Sequence, residues 1–488
     1  MSQNHFDVVI IGAGLSGIGA ACHLQRNSPN KSYAILESRE AMGGTWDLFR
    51  YPGIRSDSDM HTLGYSFKPW KHERAIADGP AILDYIQETA KDYDVEQHIR
   101  YNQQVTKIAW DSDNATWTLR IEQEGKRASK ITCNFIYSCT GYYRYDKGYT
   151  PDFPGSDQFK GELIHPQHWP EDLDYADKKV VVIGSGATAI TVVPEMAKTA
   201  QHVTMLQRSP TYVVSRPGKD PFARRMDRWL PSKWAYLVTR WKNVTMQALI
   251  FQYSRRRPQK MKEFLLALTR RELKGKVDVN KHFNPKYNPW DQRLCLVPDS
   301  DLFRSLRKGT SSVVTDQIKT FTKTGIKLES GELLKADIVV SATGLELLAM
   351  GGMEIVVDGK KISLPDTVGY RGMMLSGVPN FVLAAGYTNA SWTLKCDLTS
   401  EYVCRMLNHM DRTGYQFCVA RTQNPDMDRV AFLDLASGYV DRAIDNFPKQ
   451  GTSSPWRLYQ NYLLDLLSLR FGSMRDKELE YGRVKTQS

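Results

Sequence analysis

Two glycine-rich turns have the residue types and spacing that bind the pyrophosphate of a dinucleotide, and their first glycines lie 172 residues apart. In such a turn the first glycine permits a tight bend, and the second lets the backbone approach the phosphates closely. The third position lets the next helix pack on the strand, and the pyrophosphate meets free N–H groups where that helix begins. The predicted contacts are Gly12, Gly14 and Gly17 in the first turn, and Gly184, Ser185, Gly186, Ala187, Thr188, Ala189 and Ile190 in the second.

A charged residue of opposite sign follows the next predicted strand of each unit. Tyr33–Leu36 leads into Glu37, and His202–Gln207 leads into Arg208, at nearly the same distance from the first glycine of each turn. A carboxylate accepts hydrogen bonds from both hydroxyls of an unmodified ribose and repels a ribose 2′-phosphate, whereas a guanidinium binds one. We therefore predict FAD at the first site and NADPH rather than NADH at the second, where Ser209 is a further expected contact.

The elements around these turns predict an α/β fold with two Rossmann-like dinucleotide-binding domains, for FAD and NADPH, and a helical insertion. An apolar, strand-like run precedes each turn, and helix-compatible residues follow it, which is the order that the glycine pattern requires. The predicted parts are 1–145, the first part of the FAD domain; 146–215, the first part of the NADPH domain; 216–281, a basic helical insertion; 282–335, the second part of the NADPH domain; and 336–488, the second part of the FAD domain with a C-terminal region.

Length and composition indicate a globular protein with several domains. The chain has 488 residues, of which 41% are hydrophobic and 24% are charged. Its seven cysteines include no Cys-x-x-Cys pair and no Cys/His cluster with zinc-ligand spacing, which argues against a disulfide reductase and against a metal site. The N-terminal apolar run lacks the features of a signal peptide, and no run approaches the roughly 20 apolar residues of a membrane span. We expect a cytoplasmic protein with reduced thiols.

The net charge of +11 is concentrated in the predicted insertion, 216–281. This segment holds eighteen Lys or Arg and five Asp or Glu, and several Trp, Tyr and Phe residues lie among them. Such a composition suits peripheral association with an anionic membrane surface, or the mouth of a site that attracts a phosphorylated cofactor. It also suits an insertion with a solvated basic face and a buried aromatic face. Nucleic acid is not expected as a partner, because no nucleic-acid-binding module accompanies the charge.

Two longer patterns identify a family. The first is Phe159-x-Gly161-x-x-x-His165-x-x-x-Trp169-Pro170, and the second is Gly43-Gly44-Thr45-Trp46, four residues, Tyr51-Pro52-Gly53, three residues, Asp57. Both match the type I Baeyer–Villiger monooxygenases, which the chain resembles over nearly all of its length. The related N- and S-oxygenating enzymes usually end the first pattern without Trp-Pro. The resemblance looks closest to the ethionamide-activating subgroup, through the stretches 47–50, 288–293 and 387–392.

The resemblance implies roles for further residues. His165 matches a linker histidine that couples domain movement to the cofactors. Arg293 matches the active-site arginine beside the flavin, and Asp57 matches the carboxylate that holds this arginine, so both are predicted to be catalytic. The residues that it places along FAD or near the cofactors are Ser16, Gly44, Thr45, Trp46, Asp47, Leu48, Arg55, Ser56, Asp57 and Val105.

The implied reaction is the conversion of a ketone to an ester or lactone by NADPH and O₂, through a C4a-peroxyflavin. The peroxide must stay anionic to attack a carbonyl group, and a permanently charged arginine stabilises that anion. Two alternatives remain open: an S- or N-oxygenating monooxygenase for thioethers or thioamides, and a non-enzymatic flavoprotein that senses redox state or binds a partner. One departure is Gln292, where many family members have a Lys that helps to hold the 2′-phosphate, so the NADPH preference depends on Arg208 and Ser209.

Overall fold

The protein is described from a computed structural model that covers residues 4–292, 294–424, 426–433 and 437–484. The strands in these ranges are β1 His5–Ile11, β2 Tyr33–Leu36, β3 Ile99–Arg100, β4 Gln104–Asp111, β5 Thr116–Glu122, β6 Ser129–Ser138, β7 Glu162–Ile164, β8 Lys179–Ile183, β9 His202–Gln207, β10 Val213–Arg216, β11 Cys295–Pro298, β12 Ser311–Thr315, β13 Ile318–Thr322, β14 Gly325–Leu328, β15 Leu333–Lys335, β16 Ile338–Ser341, β17 Glu354–Val357, β18 Lys360–Lys361, β19 Gly369–Tyr370, β20 Met374–Leu375, β21 Phe381–Leu383, β22 Phe417–Ala420, β23 Arg429–Ala431, β24 Lys449–Gly451 and β25 Leu479–Gly482.

The α-helices in the same ranges are α1 Leu15–Asn27, α2 Thr45–Leu48, α3 Met60–Leu63, α4 Gly79–Asp92, α5 Ala187–Met196, α6 Pro221–Trp229, α7 Ser232–Arg256, α8 Pro258–Leu273, α9 Val279–His282, α10 Asp301–Lys308, α11 Trp392–Thr413, α12 Gly438–Asp441 and α13 Tyr462–Asp465. The last helix continues as a π-helical turn over Leu466–Arg470.

The first sheet carries the first glycine turn. Its strand order is β18-β17-β4-β5-β6-β1-β2-β3, and β21 also pairs with β6. Strand β1 runs parallel to both of its neighbours, β6 and β2. Its alternate side chains enter two apolar clusters: Val8 and Ile10 pack with α1, α4 and α11, whereas Val9 and Ile11 pack with Trp110 on β4. Because both faces are covered, the strand is a continuous apolar run.

The second sheet carries the second glycine turn and is parallel throughout, in the order β12-β9-β8-β16-β7. Helices α5 and α10 pack together beside it, with Val192, Leu302 and Phe303 in the same apolar cluster as Val180 and Val182 of β8. Each sheet therefore supports one strand–turn–helix unit, and the predicted α/β fold with two Rossmann-like units is confirmed.

The predicted division into domains stays a proposal, and the strand pairing differs from it at one boundary. Residues from 336 onward were assigned to the second part of the FAD domain, but β16 pairs in parallel with β8 and β7 of the second sheet. An apolar strand-like run followed by a glycine turn does not reveal which sheet it joins, because both sheets contain parallel strands with which such a run can pair. The chain leaves the second sheet only after Ser341.

Helices α6 to α9 occupy residues 221–282 and connect strand β10 of the second unit to the loop before β11. The long helix α7 lies against α3 of the first unit, and its Tyr236 joins the cluster that contains α1 and α11. The helical segment thus bridges the two units that carry the glycine turns.

All seven cysteines are buried and free.

Candidate cofactor and active site

One cavity of about 1570 Å³ is lined by both glycine turns. The two turns follow β1 and β8, so the cavity lies at the carboxyl ends of parallel strands, where open α/β sheets bind their ligands. Both helices that follow the turns begin at its wall, because their N-cap residues, Gly14 and Gly186, line it. Neither helix has a side-chain cap. Two dinucleotides placed along these turns would therefore meet in a single space.

The first turn fits closely against its neighbouring strand. Gly12 has φ of +104°, and a Cβ atom there would stand 2.6 Å from the carbonyl oxygen of Cys139, just after β6. Only glycine combines that backbone conformation with that approach. Gly12 and Gly14 line the cavity, whereas Gly17 is buried behind them, as its packing role requires.

Glu37 lines the cavity beside the first turn and is 5% exposed. One carboxylate oxygen accepts a hydrogen bond from the Ala13 N–H at 2.7 Å, and the other accepts from the Arg39 N–H at 2.9 Å. A carboxylate has about four acceptor positions, so two N–H donors leave room for the hydroxyls of a ribose. The position and partners of Glu37 fit the predicted role at FAD.

Some residues of the segment after Gly43 line the cavity, and others pack into the protein. Gly44, Thr45 and Trp46 line the cavity. Asp47 and Leu48 are not among the described residues that line it. The Asp47 carboxylate instead pairs with Arg39 at 2.6 Å and with an arginine three residues further on, at 2.8 Å. Leu48 packs against the apolar cluster of the second unit. Contacts of Asp47 and Leu48 with FAD stay predictions.

Ser16 is held in place by a residue far away in the sequence. The Trp392 indole N–H donates to the Ser16 hydroxyl at 2.9 Å, and the Cys396 thiol lies 3.5 Å from the same hydroxyl. Burial raises the pKa of Cys396 to about 12, which keeps the thiol neutral. Ser16, Trp392 and Val105 all line the cavity. Only the position of Trp392 in a family-like stretch indicated its importance in the sequence, and its bond to Ser16 was not predicted.

The second glycine turn has the same backbone arrangement as the first but is less covered by neighbouring residues. Gly184 has φ of +136°, and a Cβ atom there would stand 2.4 Å from the carbonyl oxygen of Ala342, just after β16. A Cβ atom on Gly186 would meet no atom within 4 Å among the described residues, so this side of the turn is open to a ligand. Residues of this turn that line the cavity are Gly184, Ser185, Gly186, Ala187, Thr188 and Ile190, whereas Ala189 is buried.

Arg208 and Ser209 lie together at the second turn. Both are exposed and both line the cavity. The Ser185 hydroxyl donates to the Ser209 carbonyl at 3.1 Å and so fixes the loop after β9 to the glycine turn. Gln292 lines the cavity as well. An exposed guanidinium next to an open glycine turn fits the 2′-phosphate of NADPH, and a lysine at 292 would add a second cation to this cavity.

Arg55, Ser56 and Asp57 also line the cavity. The Arg55 guanidinium pairs with Asp301 through Nη1, and its buried Nη2 has no hydrogen-bond partner among the described residues. A buried, unused donor on a permanent cation fits a phosphate oxygen of a bound cofactor. Ser56 is 2% exposed and donates to the Ser58 carbonyl at 2.7 Å. Arg293 lies outside the described residues, so its pairing with Asp57 stays a prediction.

His165 lies between the second sheet and the linker that leaves it. Its Nε2–H donates to the Gly344 carbonyl at 3.1 Å, and its Nδ1 accepts from the Gln167 N–H at 3.2 Å. Burial lowers the pKa of His165, so the neutral ring fits these partners. Because Gly344 follows β16, the ring ties the end of β7 to the strand exit beside the cavity, as a linker residue would.

The chain matches a family model and the sequences of known relatives along most of its length. The flavin-binding monooxygenase-like family model matches residues 6–349. The FAD-containing monooxygenase EthA of Mycobacterium tuberculosis (strain ATCC 25618 / H37Rv) is 54% identical over 480 residues, which cover 98% of this chain and 98% of that protein. The probable FAD-binding monooxygenase AlmA of Acinetobacter baylyi is 49% identical over 483 residues, which cover 99% of this chain and 97% of that protein.

Solved structures share the fold at lower sequence identity. Oxidized steroid monooxygenase bound to NADP has a TM-score of 0.77 and 22% identity, over 98% of this chain and 100% of that chain. Cyclohexanone monooxygenase from Rhodococcus sp. Phi1, bound to NADP⁺, has a TM-score of 0.74 and 20% identity, over 99% of this chain and 100% of that chain. These likenesses show that the arrangement of the two units is that of a known fold.

Proposed function

Because the chain belongs to the flavin-binding monooxygenase-like family, we propose that it inserts one oxygen atom of O₂ beside a ketone carbonyl, giving an ester or lactone. The resemblance noted in the sequence is confirmed at the level of this family, and the chain is a flavin-dependent monooxygenase that uses FAD and NADP(H). The observation that supports the proposal most strongly is the single cavity lined by both turns, with Glu37 at one and Arg208 at the other.

The chemistry that a bound flavin supplies is the transfer of electrons from NADPH to O₂. The protein's own residues would bind and orient the two cofactors. Glu37 would accept hydrogen bonds from the ribose hydroxyls of FAD, and the free Nη2 of Arg55 would donate to a phosphate oxygen. Trp392 holds the Ser16 hydroxyl, which would contact the pyrophosphate. Arg208 would bind the 2′-phosphate of NADPH, and the two uncapped helices would offer their N-terminal N–H groups to the two pyrophosphates.

In this proposal Arg293 acts on the reacting atoms, and Asp57 positions Arg293. A guanidinium cannot be deprotonated in proteins, so it stabilises the negative charge on the attacking oxygen and then on the carbonyl oxygen. Asp57 would orient that guanidinium from the cavity wall. Apolar side chains that line the same cavity keep water away from these charges and suit an apolar substrate; they are Leu345, Leu348, Met350, Phe432, Leu433 and Val440.

Oxygenation of a thioether or thioamide is the second candidate. The resemblance to the ethionamide-activating subgroup favours it, and the 54% identical relative is named only as an FAD-containing monooxygenase. Sulfur oxygenation needs an electrophilic oxygen, and a cation that stabilises an anionic nucleophile would not help that step. Arg293 therefore distinguishes the two reactions, because ester formation depends on its charge and sulfoxide formation does not.

The test is product analysis with isotopically labelled O₂. The FAD-loaded enzyme is incubated with NADPH and either an apolar ketone or a thioether, and mass spectrometry identifies the products. We expect an ester with one labelled oxygen. Arg293→Ala should still bind FAD and be reduced by NADPH but should lose ester formation, and Arg293→Lys should restore little because an ammonium lacks the planar fork. A labelled sulfoxide with no ester from any of a panel of linear, cyclic and aryl ketones would replace the proposal with the second candidate.

Association of segment 216–281 with a membrane surface also stays a proposal after the fold is known. No helix in the described ranges is long and apolar enough to cross a bilayer.

A further inference from the structure

Helix α7 presents a stripe of large apolar side chains to solvent. Trp234, Val238 and Trp241 follow one another at spacings of three or four residues, Leu249 and Tyr253 continue the stripe two turns further on, and Met246 lies beside them. Trp234 is 61% exposed and Leu249 is 59% exposed. From first to last, this stripe is about 30 Å long at 1.5 Å per residue. A surface helix of a globular protein normally presents the opposite side to water.

The inward side of α7 carries buried apolar side chains, such as Tyr236 and Val244, and polar side chains that make hydrogen bonds. The Arg240 guanidinium is 4% exposed, donates to the carbonyls of His61 and Gly64, and lies 3.5 Å from the Asp397 carboxylate. One turn further on, Asn243 and Gln247 donate to the Asp59 carboxylate at 2.9 and 3.1 Å. Rotating the helix would leave these buried groups without partners, which is strongly unfavourable. The hydrogen bonds therefore fix the apolar stripe on the outside.

A second element, distant in sequence, extends the stripe. Tyr462, at the start of α13, packs its ring 5.9 Å from that of Trp241. The exposed apolar residues that follow are Leu463, Leu464, Leu467 and Phe471, of which Phe471 is 70% exposed. Their spacing places them on one side of the continuous helix 462–470. We call the exposed apolar residues of α7 and of 463–471 the apolar platform.

Cations lie at both ends of the α7 stripe. Helix α6 and the start of α7 carry exposed Arg224, Arg225, Arg228 and Lys233, and α7 ends in exposed Arg255 and Arg256. Within the first group, Trp229 is 72% exposed, with the Arg225 guanidinium 5.5 Å from its ring. Tryptophan and basic residues around an apolar surface are typical of helices that lie in the headgroup region of a bilayer.

We propose that the apolar platform binds the surface of a bilayer that contains anionic lipid. The charge selects this occupant. With eighteen basic and five acidic residues in 216–281, two copies of the chain joined through this surface would oppose like charges. Anionic headgroups instead complement them. The alternative of a solvated basic face with a buried aromatic face does not hold for Trp229, Trp234 and Trp241, which are all exposed.

The test is co-sedimentation of the FAD-loaded protein with vesicles of phosphatidylcholine alone or in an equal mixture with phosphatidylglycerol. We expect binding to the mixed vesicles, weak binding to the neutral ones, and release as salt is raised, because charges are screened over about 8–10 Å at 0.1–0.15 M. Arg224→Glu, Arg225→Glu and Arg228→Glu together should weaken partitioning at least about a hundredfold, since each basic residue near an anionic surface contributes roughly 1 kcal/mol. Arg255 is left unchanged because it pairs with Asp291.

Two matched controls separate the platform from general surface properties. Lys319→Glu, Lys323→Glu and Lys327→Glu change the charge by the same amount on exposed positions of β13, the turn after it and β14, and should leave binding intact. Leu249→Gln with Leu467→Gln should weaken binding, whereas Leu163→Gln with Leu333→Gln, which are 40% and 43% exposed elsewhere, should not.

Binding that ignores lipid charge, or that the platform variants leave unchanged, would overturn the proposal. So would absence of vesicle binding. In that case, a concentration-dependent dimer that Leu249→Gln with Leu467→Gln dissociates would identify a second copy as the occupant. NADPH oxidation by each variant should match the parent, because no substituted residue lines the cofactor cavity, and this establishes that the variants are folded.

Discussion

The two glycine turns share one backbone design and differ in what covers them. At the first turn, Gly14 pairs with Gly43, and a Cβ atom on Gly14 would already touch the Gly44 Cα at 3.5 Å. At the second, a Cβ atom on Gly186 would meet nothing described within 4 Å. The charged residues differ in the same way, since Glu37 is buried and Arg208 is exposed. An enclosed site suits a cofactor that stays bound, and an open site suits one that exchanges in each turnover.

Buried charges add to the rigidity of the first unit. His23, on the helix that follows the first turn, contacts Asp397 of α11 at 3.2 Å. The same carboxylate accepts from the Ser66 N–H at 2.8 Å and faces Arg240 of α7. Burial alone would raise the pKa of Asp397, but the His23 hydrogen bond and the Arg240 charge outweigh it and lower that pKa. The helix beside FAD is therefore anchored to two other helices through one ionised group.

The largest effect should come from removing that anchor with Asp397→Asn. We expect a loss of about 3–5 kcal/mol of unfolding free energy at neutral pH, because the buried Arg240 loses its carboxylate. The folded pKa of Asp397 lies below its usual value of 3.8, so its stabilising contribution is present above pH 3.8 and is lost as pH falls through the folded pKa. Urea unfolding at several pH values checks both statements.

Asp411→Asn is the matched control, because Asp411 lies on the same helix and makes an exposed ion pair with Lys31 at 2.6 Å. It should change stability little at any pH. Equal losses from Asp397→Asn and Asp411→Asn would contradict the role given to the buried anchor.

The next largest effect should come from Gly17→Ala. The new Cβ atom would stand 1.9 Å from the carbonyl oxygen of Gly12, so helix α1 and the turn would have to separate. We expect a loss of about 3 kcal/mol and purification with little FAD. Thermal unfolding and the flavin absorbance of the purified protein measure this. At Gly186 the space is open, so Gly186→Ala should leave stability and FAD content unchanged and weaken only the binding of NADPH. Loss of FAD from Gly186→Ala would contradict the distinction between the two turns.

Arg208→Ala should give a smaller effect that is confined to the open site. Losing hydrogen bonds from a charged group to the 2′-phosphate costs about 1.5–3 kcal/mol, or roughly a 10–150-fold rise in the KM for NADPH. The KM for NADH and the FAD content should change little. Steady-state kinetics with both nucleotides give the ratio, and Glu37→Ala is the reciprocal variant, expected to lose FAD first. Parallel changes for NADPH and NADH would mean that Arg208 does not contact the phosphate.

The smallest predicted effect is a gain in affinity for NADPH. Gln292→Lys places a second cation in the cavity that Arg208 lines, and we expect NADPH to bind a few-fold more tightly, about 1 kcal/mol for a partly exposed charge pair. Binding titrations with NADP⁺ at two salt concentrations should show the gain shrinking as salt rises. Gln292→Met is the uncharged control of similar length. The same gain from methionine would exclude an electrostatic cause.

The sequence predicted the parts of the fold that are local. Strands β2 and β9 begin and end at the predicted residues, and β1 and β8 lie directly before the glycine turns as predicted, because the turns and the apolar runs that define these strands are adjacent in the chain. Glu37 and Arg208 line the cavity for the same reason: their distance from the turn fixes their place at a strand end.

Contacts between distant segments were not predictable in this way. The pairing of β16 with the second sheet and the bond from Trp392 to Ser16 both depend on strands or side chains whose neighbours are set by packing. The orientation of α7 is the clearest case. Its aromatic residues predicted a buried side, but carbonyls some 180 residues away hold Arg240 inward, and Trp234 and Trp241 face outward.

The most direct test is whether a nucleotide bound at the second site reduces the FAD bound at the first. The FAD-loaded protein is mixed anaerobically with NADPH or NADH, and the visible flavin absorbance is followed as each nucleotide is titrated. We predict that NADPH bleaches the bound flavin at a much lower concentration than NADH does, while FAD stays with the protein on gel filtration. Flavin that NADPH does not bleach, or that both nucleotides bleach equally, would contradict a shared cavity with Glu37 and Arg208 dividing the two cofactors.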